Sequence, residues 1–79
     1  MARETPLPPE QMLANAIIIQ AADDYRVALR RLKLNRMSRE YLQMKKDCEH
    51  FFQSEWFKVL SNVDGNMIMN RILKEELGI

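Results

Sequence analysis

The sequence holds one cysteine, one histidine and two glycines, and its three prolines all fall within residues 6–9. A lone cysteine excludes an internal disulfide framework and implies no oxidising compartment. One cysteine and one histidine cannot furnish the roughly four ligands of a structural zinc site, or the about three of a catalytic one. Neither glycine sits in a phosphate-cradling Gly-rich loop, so no metal and no cofactor is expected. No apolar run approaches the roughly 20 residues that cross a bilayer. The opening MARETPLPPEQM lacks the basic-then-apolar order of a secretory signal. The expected location is the cytoplasm, with no membrane partner. No stretch alternates strictly between apolar and polar residues, so no strand is expected.

What is present is helical punctuation. At 79 residues the chain makes one domain, near the small end of what folds alone. Its 47% hydrophobic and 29% charged content is that of a globular protein rather than a disordered one. Residues 1–8 read as a loose tail and residues 9–79 as a single helical domain. Pro9 suits a first helical position, where its missing N–H costs nothing, and Glu10 suits the dipole of a first turn. From there to Leu34, Ala14, Ile17, Ile18, Ala21, Tyr25, Ala28, Leu29 and Leu32 gather on one face at 3.6-residue spacing. That spacing predicts one long helix. Leu13, Ala16, Val27 and Leu34 form a second, narrower apolar strip, and Met12 and Ile19 stand among polar positions. A helix apolar on two sides usually has two neighbours: either a second copy, paired as a homodimer through Ile19 and Val27, or a small bundle that wraps the helix.

Three shorter helices follow. Ser38 is a good N-cap with Glu40 in the first turn, and Met37 and Leu42 occupy the positions of a hydrophobic staple. Met37, Tyr41, Met44, Cys48, Phe51 and Phe52 then recur at spacings of three and four. Ser54 caps a short helix over Glu55–Leu60. Ser61–Gly65 is rich in turn residues, and Asp64 caps a last helix stapled by Val63 and Ile68. Ile68, Met69, Ile72, Leu73 and Leu77 give that helix an apolar face, and Gly78 supplies its stop. The expected fold is all-α: one long N-terminal helix packed with three shorter ones in a small bundle.

The residues suited to chemistry do not converge. The cysteine, histidine, tryptophan and all three phenylalanines lie in the stretch CEHFFQSEWFKVLSNVDG, residues 48–65. Helical periodicity puts Cys48 on the apolar face and His50 beside Gln43 and Asp47 on the polar one, out of reach for a nucleophile and its base. Asp23 and Asp24 diverge by about 100° as helix neighbours. No enzyme is expected and no catalytic residue is assigned. Phe51, Phe52, Trp56 and Phe57 are expected in the core, because aromatics bury much area each and only Lys58 is close enough to serve base stacking. Met67 falls on the polar side of the last helix, which marks an apolar contact surface there.

Charge supplies the site hypothesis. Net charge is +1, yet Arg26, Arg30, Arg31, Lys33, Arg36 and Arg39 form a block with no acid between them. From Glu40 onward acids outnumber bases, seven to five. Such a block is either a solvated helix face or a surface that attracts phosphates or an acidic protein. These six residues are the expected contact to a protein partner. The alternative is a small helix-turn-helix-like DNA-binding protein, with the last helix presenting Asn66, Asn70, Arg71 and Lys74, side-chain types that read base edges. Glu75 and Glu76 on that helix oppose phosphate.

The run FFQSEWFKVLSNVDGNMIMNRI, Phe51–Ile72, resembles a small uncharacterised protein family of Gram-positive bacteria and their prophages with an FFxSxWFxxLxxxDG motif. Gln53 stands where that family usually has Arg, Ser61 where it has Thr, and Asn66 where it has Glu. The segment DDYRVALRRLK is similar to the family's DYRxALKxLK. The resemblance implies a phage or mobile-element origin and carries no active-site residues with it. By analogy with other small phage proteins, anti-CRISPR factors among them, it implies a host or defence factor as the partner.

Overall fold

In the computed structural model of the chain, residues 9–78 are described; the expected tail, residues 1–8, and Ile79 lie outside them. The described residues form four helices and no strand: α1 (Pro9–Leu34), α2 (Arg39–Phe52), α3 (Glu55–Leu60) and α4 (Gly65–Leu77). The protein is an all-α bundle with one long helix and three shorter ones. At 1.5 Å per residue α1 is about 39 Å long.

Each junction is closed by the side chain that the sequence puts there. Asn35 Oδ1 accepts from the Met37 amide at 3.1 Å, making the Asx turn that reverses the chain after α1. Ser38 Oγ accepts from the Tyr41 amide to cap α2. Ser54 works in both directions: its Oγ donates to the Phe51 carbonyl at 2.7 Å and accepts from the Phe57 amide at 3.1 Å. One hydroxyl therefore closes α2 and opens α3. Asp64 Oδ1 accepts from the Asn66 amide at 2.9 Å to cap α4. Gly78 ends α4 at φ 74°, where its amide donates to the Lys74 carbonyl at 2.9 Å. That left-handed conformation favours a residue without a Cβ.

The core lies where the four helices meet. Tyr25 and Leu29 of α1, Cys48 and Phe52 of α2, Phe57 of α3, and Met69 and Ile72 of α4 are all buried. Phe52 sits among Tyr25, Phe51 and Phe57, with ring centroids 6.2, 5.5 and 5.6 Å away. The Tyr25 hydroxyl donates to Glu49 Oε2 at 2.8 Å, so the buried ring keeps a partner for its polar end. Glu49 also accepts from Lys45 at 2.8 Å. α4 starts against Phe52 and finishes beside Arg26 and Arg30 of α1.

Three expectations are corrected. Trp56 is 55% exposed rather than core. In a six-residue helix Phe57 takes the inward position, and Trp56, about 100° round, meets the Phe51 ring edge-on at 5.5 Å, its one ring contact among the described residues. Met37 is too exposed to close a staple over Leu42, because the Asn35 turn swings it into solvent. Gly65 belongs to α4 rather than to a loose turn, and it is buried. A Cβ there would stand 1.9 Å from the Phe52 carbonyl oxygen and 2.8 Å from its carbon. The glycine is required by that close approach, not by its φ, since the only positive φ among the described residues is at Gly78.

Candidate docking surface

The six cations of the basic block separate into two groups by helical geometry. Arg26, Arg30 and Lys33 are spaced four and three residues apart, so they share one face of α1. That face meets the end of α4. Arg30 makes a bidentate pair with Glu76, Nε to Oε1 at 2.9 Å and Nη2 to Oε2 at 3.0 Å. Arg26 bridges Asp23 at 3.3 Å and Glu75 at 3.4 Å. Lys33 donates to the backbone carbonyl of Glu76, one of the terminal helix carbonyls left without an intrahelical donor. The hydrogen bond from Arg30 holds the Glu76 carboxyl below its ordinary range, and the guanidinium is raised in turn.

Arg31, Arg36 and Arg39 are placed differently. They are exposed, and among the described residues their side chains make no hydrogen bond or ion pair. Arg31 lies about 100° round the helix from Arg30, Arg36 lies in the turn, and Arg39 opens α2. Between them Leu34 and Met37 are each 82% exposed. The α1–α2 elbow therefore carries three uncompensated cations and two nearly bare apolar side chains within nine residues, Arg31–Arg39. The apolar pair had been assigned to helix faces by periodicity. The signal that could have located them is their position on either side of Asn35, where helical spacing stops applying.

The residues proposed to read DNA, Asn66, Asn70, Arg71 and Lys74, are all exposed on α4. Asn70, Arg71 and Lys74 share a shallow concavity with Glu75, and Arg71 pairs with that carboxylate at 3.4 Å. The carboxylate lies where a phosphate would have to approach, which disfavours backbone contact.

The reactive side chains stay apart. Cys48 is buried, and desolvation, helped by Asp24, Asp47 and Glu49, pushes its thiol up to about 11. It is a poor nucleophile at neutral pH, since the thiolate is the reactive form. His50 is exposed in the last turn of α2. Among the described residues no group of three or more His, Cys, Asp or Glu is placed to hold a metal ion. No described helix is long and apolar enough to cross a membrane.

Two further exposed apolar groups complete the surface. Ile19 is 60% and Val27 39% exposed, with Met12 and Leu13 bare on the same helix. Val59 and Val63 border a concavity that also includes Asn15, and Met12, Asn15 and Ile19 share a face of α1 at spacings of three and four. Comparison of the chain with protein-family models, with curated proteins and with solved structures found no match, so the resemblance over Phe51–Ile72 rests on its motif alone.

Proposed function

We propose that this chain is a non-enzymatic interaction protein that seats its α1–α2 elbow on an acidic surface of a protein partner. The observation that carries the reading is the pairing, at one corner, of Arg31, Arg36 and Arg39 without counter-charges and Leu34 and Met37 without cover. Exposed apolar side chains beside unpaired arginines are the composition of interface centres, where Arg and Met are enriched and apolar anchors fill a partner's pockets. Arg26, Arg30 and Lys33 join α1 to the end of α4. The prophage-type motif over Phe51–Ile72 supports a host or defence factor as the partner. A second surface, Ile19 and Val27 with Met12 and Leu13, supports pairing of two copies through α1.

The test begins with a photo-crosslinking residue at position 34, expressed in the cell of origin. The captured protein is then purified and titrated with wild type and with an Arg31→Glu, Arg36→Glu, Arg39→Glu variant. The expected result is an acidic protein that binds wild type, and that the variant loses while its circular dichroism stays unchanged. Retention by the variant overturns the reading. So does salt-sensitive duplex binding by wild type, with a log–log slope of about −0.9 per phosphate, abolished by Lys74→Glu rather than by the elbow variant. That result would assign the α4 surface to DNA.

A further inference from the structure

The elbow continues into an open groove of about 450 Å³ between the end of α1, the middle of α2 and the last turn of α4. Its apolar lining is Leu29, Leu32 and Leu77, and its polar lining is Lys33, Arg36 and Lys45. No carboxylate lines it. Lys45 also donates to Glu49, and Lys33 donates to a backbone carbonyl. Arg36 makes no side-chain hydrogen bond or ion pair among the described residues. Leu77 is 42% exposed although it belongs to the apolar face of α4, because nothing described crosses the groove to cover it.

We infer that this groove receives one large apolar side chain of a protein partner, flanked by carboxylates that the three cations engage. The inference rests on the elbow reading and adds the chemistry of what docks. A volume of this size holds a leucine- or phenylalanine-sized group with its adjoining backbone, and the groove is open along the surface. That suits a side chain presented by a partner's backbone rather than an enclosed small molecule, most of whose surface a pocket must bury. A leucine floor rewards an apolar group by the area it removes from water. Three cations of one sign select carboxylates and repel a basic or neutral flank. The complementary segment is therefore acidic and amphipathic, with its apolar anchor next to Asp or Glu. Arg36 is the residue best suited to grip it, since its fork is unengaged and matches a carboxylate with two parallel hydrogen bonds.

A randomised peptide library displayed on yeast, sorted against the labelled protein, tests this directly. The enriched peptides should carry an apolar residue flanked by Asp or Glu. They should shift the methyl resonances of Leu32 and Leu77. Leu77→Ser removes one of the three leucines that line the groove, the one at an exposed position, and should weaken binding about tenfold. Arg36→Glu should weaken it at least as much. If Arg31→Glu with Arg39→Glu abolishes binding while Leu77→Ser does not, the elbow reading stands and the groove is refuted. If neither variant matters, or no peptide is enriched, both are refuted. Enrichment of peptides without acids overturns the proposal.

Discussion

Gly65→Ala replaces one hydrogen with a methyl group, and in most helices it would stabilise. Alanine is about 1 kcal/mol more favourable than glycine in a helix interior, an upper bound at the first helical position that Gly65 holds, and Gly65 has ordinary right-handed backbone. The contact with α2 reverses the sign. The new Cβ would lie 1.9 Å from the Phe52 carbonyl oxygen, 2.8 Å from the carbonyl carbon and 3.2 Å from the Cα. All three are backbone atoms, so no side chain can rotate away. Restoring van der Waals contact requires α4 to retreat by more than an ångström from α2. Such a retreat loosens Met69 and Ile72, which α4 inserts into the core. Overpacking of this kind costs about 1–3 kcal/mol, occasionally more; backbone on both sides puts Gly65 at the upper end, for a net loss of about 2 kcal/mol. Against a total of roughly 4–12 kcal/mol for a domain of this size, that is a large share. It corresponds to a fall in melting temperature of about 8–16 °C, read by far-UV circular dichroism. Gly78→Ala is the control: nothing lies within 4 Å of its Cβ, so it loses only the left-handed cap, about 1 kcal/mol. A Gly65→Ala protein that melts at or above wild type would refute the close approach.

The same bundle makes other testable statements. Phe57→Ala should cost about 3–5 kcal/mol, while Trp56→Ala, half exposed and held by one edge-on ring, should cost about 1 kcal/mol; chemical denaturation that ranks them the other way would contradict the placement of α3. Sedimentation of wild type should show a dimer that Ile19→Glu weakens with helicity intact, and a monomeric wild type at high micromolar concentration would remove the α1 pairing. The Cys48 thiol is pushed from an ordinary 9.0 up to about 11 by burial. Between those values the unfolded chain has released a proton that the folded chain still holds. Stability is therefore fully present below about pH 9 and declines as pH rises toward 11. Tyr25 is raised for the same reason, with its bond to Glu49 adding to the effect, and extends the decline. Denaturation midpoints should fall less steeply over that window in Cys48→Ala, and identical slopes would show that the thiol titrates alike in both states.

Much of the fold is legible because it is local. Ser38, Ser54 and Asp64 cap the helices that follow them, since a cap depends only on a side-chain oxygen and an amide two or three residues on. The buried face of α1 is legible from 3.6-residue spacing, and so is the burial of Cys48 against the exposure of His50. What spacing cannot supply is which neighbour an element meets. Trp56 and Phe57 are adjacent and equally suited to a core, and only the angle at which α3 leaves Ser54 decides between them. Gly65 looks like a turn residue beside Asp64. Its actual constraint comes from a carbonyl thirteen residues earlier, which no local pattern contains.

The basic block shows the same limit from the side of function. Six cations in sequence read as one patch, yet the acids that divide them lie 46 and 49 residues away in α4. Helical phase does the sorting. Arg26, Arg30 and Lys33 share the face that α4 reaches, so the Glu75 and Glu76 carboxylates and the Glu76 backbone carbonyl take up half of the patch. Because Arg31 is out of phase and Arg36 and Arg39 follow the end of α1, they are left at the elbow without an acid. An exposed ion pair contributes little stability by itself, so the larger consequence of the α4 contacts is positional. They fix the last turn of α4 beside the end of α1, which sets Leu77 next to Leu29 and Leu32 and brings Lys33 and Arg36 to the rim of one groove. The acidic end of α4 weakens that helix as a DNA-binding surface and, by the same contacts, builds a cationic, leucine-lined site at its last turn. A partner that reads this corner would meet charge and apolar surface together.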